Sequence, residues 1–194
     1  MIRDDLSTKL IHLTRDDSED RNESLRTAYG RLVSIAKQKK LLGGTNFIKG
    51  SYRCVCFTEA PISKLSHILA SEPQEGLRYA PFGVMVDKVW LFRNGGLPVI
   101  YGPDSDFNKL PENMRYRHVR FELRTRGSID HSWEREWRIR ADELPVNPTQ
   151  ATLVVPSRKW KESCSKRVTG NWHFIVLEDL GVEVPRYVAT SAAV

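Results

Sequence analysis

What most constrains this chain is its series of short apolar runs, at residues 10–14, 53–58, 79–86, 97–101, 151–155 and 173–177, each bounded by polar or turn-forming residues. Such runs are too short for helices, and their β-branched and aromatic content suits strands. One long helix is predicted over residues 24–39, with Leu25, Ala28, Leu32, Ile35 and Ala36 on one stripe, a basic last turn and a stop at Leu41-Leu-Gly-Gly44. Shorter helices are expected at 62–69, with Pro61 in the first turn, and at 88–93, ending at Asn94-Gly-Gly96. Residues 102–106 read as a loop, followed by a helical or irregular segment through Arg120 that residues 121–124 finish. Two prolines punctuate 142–148 as a loop, residues 157–161 are a basic helix or loop, and the tail from Glu183 carries only a weak pattern. Strands with few helices and no βαβ rhythm give an α+β fold with a mixed or split sheet. No Gly-x-Gly-x-x-Gly or Gly-x-x-x-x-Gly-Lys-Ser/Thr is present, so a glycine loop cradling phosphate is not indicated.

At 194 residues the chain suits one domain, 1–194. No apolar run approaches the roughly 18 residues needed to cross a bilayer, and the start Met1-Ile-Arg-Asp-Asp5 has no apolar signal region, so no membrane and a cytoplasmic location are expected. Cys54, Cys56 and Cys164 form no disulfide framework, and Cys54 and Cys56 share a strand face without metal-binding spacing, so buried thiols and no metal are expected.

Chemistry concentrates in His131-Ser-Trp-Glu-Arg-Glu-Trp-Arg-Ile139. Read as one strand from Trp133 to Arg140, it puts Trp133, Arg135, Trp137 and Ile139 on one face and Glu134, Glu136 and Arg138 on the other. Side-by-side acids raise at least one pKa and destabilise a strand, which suggests use in orienting ribose hydroxyls or stabilising a cationic transition state. Alternatively they pair with Arg135, Arg138 and Arg140 on a solvated edge. A net charge of +6 and a pI near 9.3 lean towards polyanions, and residues 115–126 interleave five arginines with aromatics, a pattern that holds phosphates and stacks bases when it is not simply a solvated face. His12 in Leu-Ile-His-Leu-Thr14 is either a satisfied core histidine or a ligand-binding one, and Glu59 in Cys56-Phe-Thr-Glu-Ala-Pro61 either caps the following helix or enters chemistry.

The order of these pieces resembles the ADP-ribosyltransferase superfamily, in which an early strand supplies a His or Arg for the nicotinamide ribose, a central strand an aromatic or hydroxyl residue, and a late strand the catalytic Glu of Glu-x-Glu. The matching positions are His12, Phe57-Thr58 and Glu136, with Glu134 as the first acid. A closer likeness, over most of the chain, is to bacterial and phage proteins related to AbiGi-type abortive-infection proteins, carried by the His12 strand, Cys56-Phe-Thr-Glu59, Phe82-Gly83, Pro98-Val-Ile-Tyr101 and the late Trp133 followed by Glu134-x-Glu136-x-Arg138. The resemblance extends to DNA-targeting ADP-ribosyltransferase toxins, whose first strand carries His-x-Thr. The central Ser-Thr-Ser or Tyr motif of better-known members is not plainly present.

The resemblance implies an ADP-ribosyltransferase-like split sheet and an enzyme that uses NAD as substrate in abortive infection or a toxin–antitoxin system, and the basic charge leans the acceptor towards DNA or RNA. It implies Glu136 as the carboxylate beneath the ribose, Glu134 activating the acceptor, and His12 and Thr14 holding the ribose or carboxamide. Arg53 or Arg138 would neutralise the pyrophosphate, Thr58 belongs to the central-strand position, and Phe57, Tyr79, Trp133 or Trp137 would stack on nicotinamide where they are not simply core. Two other readings stand beside it: a non-catalytic antitoxin or regulatory module binding a cognate toxin or nucleic acid, and a metal-dependent nuclease built from His12, Glu59, Glu134 and Glu136.

Overall fold

A computed structural model describes residues 7–15, 21–61, 69 and 79–182 of the chain. In chain order the elements are β1 (Lys9–Arg15), α1 (Arg21–Gln38), β2 (Lys40–Leu42), β3 (Cys54–Thr58), β4 (Tyr79–Asp87), α2 (Lys88–Arg93), β5 (Leu97–Pro98), β6 (Ile100–Gly102), β7 (His118–Arg120), β8 (Glu136–Arg140), β9 (Glu143–Pro145), β10 (Ala151–Val155), α3 (Arg158–Arg167) and β11 (His173–Val176). Short 3-10 turns occupy Asp104–Lys109, Glu112–Arg117, Ser132–Glu134 and Leu177–Leu180. This is a mixed α+β architecture with mostly antiparallel strands and few helices. Two compact units interleave along the chain, the first made of Met1–Leu10, Leu41–Ala60 and Asp87–Pro145, the second of Ile11–Lys40, Pro61–Val86 and Val146–Val194.

In the second unit the strands run in the order β11-β10-β4-β1. β10 pairs parallel with β11 (Leu153 opposite Phe174) and antiparallel with β4 (Leu153 opposite Val84). Ala28, Leu32 and Ala36 of α1 are buried, as the predicted stripe requires, and Tyr29 joins them. The Tyr29 ring packs 4.7 Å from Trp160 of α3 and 5.6 Å from Phe82 of β4, and its hydroxyl meets Ser163 Oγ at 2.8 Å. Gly83 is required where it stands, because a Cβ there would sit 2.5 Å from the His12 carbonyl oxygen.

In the first unit the order is β3-β8-β5, all antiparallel, with Thr58 opposite Glu136, Phe57 opposite Trp137, Cys56 opposite Arg138 and Cys54 opposite Arg140. Residues opposite one another share a face, so this sheet separates a polar side (Thr58, Cys56, Glu136, Arg138) from an apolar one (Val55, Phe57, Trp137, Ile139). Pro98 sits on the short strand β5, which pairs with β8, and a parallel ribbon joins β6 to β7 (Ile100 opposite His118). α2 starts on Asp87, whose carboxylate accepts from the amides of Val89 and Trp90 at 2.8 and 3.1 Å.

Several boundaries differ from the sequence reading. Leu41 and Leu42 do not stop α1: the helix ends at Gln38, Lys39 takes a left-handed φ of 54°, and residues 40–42 pair with β9 inside the supposed 142–148 loop. Residues 121–124 are not a helix end but one side of a ribbon, in which Glu122 and Ile129 exchange backbone hydrogen bonds. The 97–101 run is divided into β5 and β6, and the basic 157–161 segment extends into a full helix to Arg167. Apart from Leu69, helical and buried, the 62–69 helix lies outside the described residues, as does the tail from Glu183.

Candidate functional site

The acid-rich stretch enters β8 through a tight turn. Asp130 Oδ1 accepts from the Ser132 amide (2.9 Å) and hydroxyl (2.6 Å), the Glu134 amide bonds back to His131 O at 3.1 Å, and Arg135 takes left-handed angles of 48° and 51°. A left-handed non-glycine residue costs on the order of 1 kcal/mol and breaks the two-residue period of a strand. The expected alternation over 133–140 therefore holds only from Glu136 onward. Glu134 lies on the turn rather than beside Glu136 on a strand face, so the two acids are not the strand-face neighbours that the alternation predicts.

On the polar side of β8, Glu136 is gripped by Arg138. Arg138 Nε donates to Glu136 Oε1 at 2.8 Å and a terminal guanidinium nitrogen to Oε2 at 3.0 Å. The other terminal nitrogen donates to the carbonyls of Tyr116 (2.9 Å) and His118 (3.1 Å). The guanidinium is buried and four of its five N–H donors serve Glu136 and the backbone, which leaves little of it for a pyrophosphate. The Tyr101 hydroxyl accepts from the Glu136 amide and donates to His131 O, both at 3.3 Å, which ties the turn to the strand head. Burial pushes the Tyr101 phenol up to about 12, so it remains a neutral donor. Burial, then the adjacent Glu136 carboxylate, holds the Cys56 thiol well above the ordinary range, and Cys54 is also raised by burial, which disfavours the thiolate at both.

On the apolar side the notable group is Glu59, 6% exposed. Its carboxylate accepts from Lys88 Nζ at 2.5 Å and from the Trp137 indole at 2.8 Å, with an Arg135 guanidinium nitrogen at 3.8 Å. Lys88 Nζ also lies 5.3 Å from the centre of the Trp137 ring.

Of the remaining residues singled out from the sequence, Phe57 is core, 2% exposed, and Trp137 is buried against Glu59, whereas Trp133 on the turn is 47% exposed. The Thr58 hydroxyl donates to Glu134 O at 2.5 Å and accepts from the Ala60 amide at 3.1 Å. Arg53 is exposed and paired with Asp142 at 3.3 Å. His12, Thr14 and Tyr79 belong to the second unit, where His12 and Tyr79 are half-buried and buried Thr14 donates to Phe82 O at 3.0 Å. In the arginine run Tyr116 is buried, Phe121 is half-buried, and Arg115 and Arg117 bond to backbone carbonyls of Leu110, Asn108 and Pro98. Its exposed charge lies at Arg120, Arg124 and Arg126, the first two sharing Glu122, which they hold down at about 2. The roles of Lys88 and Tyr101 escaped the sequence reading because their partners lie 29 and 35 residues away.

Among the described residues no group of three or more His, Cys, Asp or Glu side chains is arranged to hold a metal ion, so the converging carboxylates of the nuclease reading find no support. No described helix is long and apolar enough to cross a membrane. No protein-family model, curated protein or solved structure matches the chain.

Proposed function

We propose that the chain is an ADP-ribosyltransferase-like enzyme of phage–bacteria conflict that takes NAD as substrate and carries Glu136 as its central carboxylate. One observation supports this most: Glu136 is the first residue of β8, opposite Thr58, while Glu134 sits on the turn just before it. A late strand that carries the second acid of a Glu-x-Glu is what the superfamily resemblance leads one to expect; the place of Glu134 on the turn is not part of that expectation.

Transfer breaks the bond between the ribose carbon and the nicotinamide nitrogen. The bonding pair goes to that nitrogen, and positive charge develops on the ribose. Glu136, held at both oxygens by Arg138, faces that charge without reorganising. A carboxylate has about four lone-pair sites, so capacity remains for a ribose hydroxyl. The acceptor's lone pair then closes the new bond to the ribose carbon, and its proton passes to Glu134 or to solvent. The basic surface and the exposed Arg120, Arg124 and Arg126 favour a nucleic-acid acceptor.

The same Arg138 grip favours a second reading, a non-catalytic binding module in which Glu136 only braces the sheet. The two separate on incubation with isotopically labelled NAD and a mixture of DNA, RNA and protein. The enzyme reading expects released nicotinamide and label in nucleic acid. It also expects NAD at 100 times its Kd to stabilise the fold by about 2.7 kcal/mol, a rise of roughly 5–10 °C in Tm. No release, no label and an unmoved Tm would leave only the binding module.

A further inference from the structure

Resting on that reading, we infer that Glu59 and Thr58 form a socket that positions the acid turn, with Glu59 as a positioning residue for Glu136. The two residues grip the turn at successive points. The Thr58 hydroxyl holds the Glu134 carbonyl at 2.5 Å, the Glu59 amide donates to the Arg135 carbonyl at 3.2 Å, and the Glu59 carboxylate accepts from the Trp137 indole at 2.8 Å. Residues 134, 135 and 137 are thus hydrogen-bonded to the Thr58–Glu59 segment, and Glu136, the strand partner of Thr58, turns its side chain to the face of β8 opposite Glu59 and Trp137.

The conformation so held does not persist by itself. Arg135 is left-handed at φ 48°, an arrangement a non-glycine residue keeps only when its surroundings over-determine it. Its guanidinium lies 3.8 Å from Glu59 Oε1, the same oxygen that Lys88 contacts at 2.5 Å. Lys88 is anchored in turn, its amide bonded to Thr8 O at 2.9 Å at the start of α2. A buried carboxylate facing two cations and an indole N–H is therefore what fixes the turn, and the Cys-Phe-Thr-Glu segment gains a role that capping of a following helix does not explain. Displacement of a reacting group by about 1 Å can cost on the order of 100-fold in rate.

The test uses the full chain with Glu59→Gln, which keeps size and one acceptor oxygen but removes the charge, and Thr58→Val, which leaves the charged cluster intact and guards against a misfolded Glu59 variant. Two readouts are taken: nicotinamide release from NAD, and amide hydrogen exchange at residues 134–136. The socket predicts that kcat falls about tenfold or more with KM for NAD within about twofold, that Glu59→Asp restores part of the loss, and that exchange at Arg135 and Glu136 speeds by about tenfold or more. Unchanged kcat, or unchanged exchange at those amides in both variants, overturns it. If NAD turnover proves absent from the wild-type chain, the enzyme reading has failed, and the exchange measurement alone still decides whether Glu59 and Thr58 hold the turn.

Discussion

Arg138→Met is the perturbation whose cost follows most directly from the structure. It removes four donated hydrogen bonds made by a residue that is 4% exposed, two to Glu136 and one each to the carbonyls of Tyr116 and His118. Breaking one side of a buried ion pair costs about 3–5 kcal/mol, because the remaining charge is left without its partner. Each orphaned carbonyl adds about 1 kcal/mol unless water reaches it. Glu136 keeps 14% side-chain exposure, so water relieves part of the penalty, and the net expectation is about 4 kcal/mol. That is a large share of the roughly 5–15 kcal/mol that holds a domain folded, and it lowers Tm by about 8–16 °C. Arg138→Lys, which reaches the carboxylate but not both carbonyls, should lose about half as much. The assay is urea unfolding followed by tryptophan fluorescence, run as a cycle with Glu136→Gln and the double variant. Coupling of about 2–3 kcal/mol is expected. A loss under about 1 kcal/mol, or additivity within about 0.5 kcal/mol, would refute the claim that Arg138 holds Glu136 in place.

Two further outcomes follow from single contacts. The Tyr101 phenol is raised to about 12 when folded, so the stability it contributes is fully present below pH 10, its ordinary pKa, and is lost as pH climbs from there towards 12. Allowing for its partial exposure, wild type should lose about 1–2 kcal/mol more than Tyr101→Phe across that window, and parallel stability curves would contradict the assignment. Gly83→Ala places a Cβ 2.5 Å from the His12 carbonyl and should destabilise by about 3 kcal/mol, whereas Gly30→Ala, with nothing within 4 Å, should stabilise α1 by about 0.5–1 kcal/mol; equal effects in thermal melts would show that β4 and β1 are not in such close approach.

Strands with strong apolar runs were legible in the sequence: β1, β3, β4, β10 and β11 all fall where β-branched and aromatic residues cluster, and α1 where its stripe recurs. The site was legible in composition but not in geometry. Pattern reading assigned residues 133–140 a single period, and nothing local to Arg135 announces a left-handed residue, since the Glu59 contacts that accompany it come from 76 residues upstream. Which members of the arginine run face solvent was illegible for the same kind of reason. Carbonyls of Leu110, Asn108 and Pro98 absorb Arg115 and Arg117, and backbone acceptors have no sequence signature. Glu59 looked like a helix cap because Pro61 follows it, while its indole and lysine partners lie 78 and 29 residues away.

Nicotinamide release from NAD, compared between wild type and Glu136→Gln, tests the central claim most directly, with urea unfolding alongside to confirm that the variant is folded. The account predicts a fall of about 100-fold or more in the folded variant, the scale of losing a group aimed at transition-state charge. Release at the wild-type rate from Glu136→Gln would contradict it and remove Glu136 from any chemistry this chain performs.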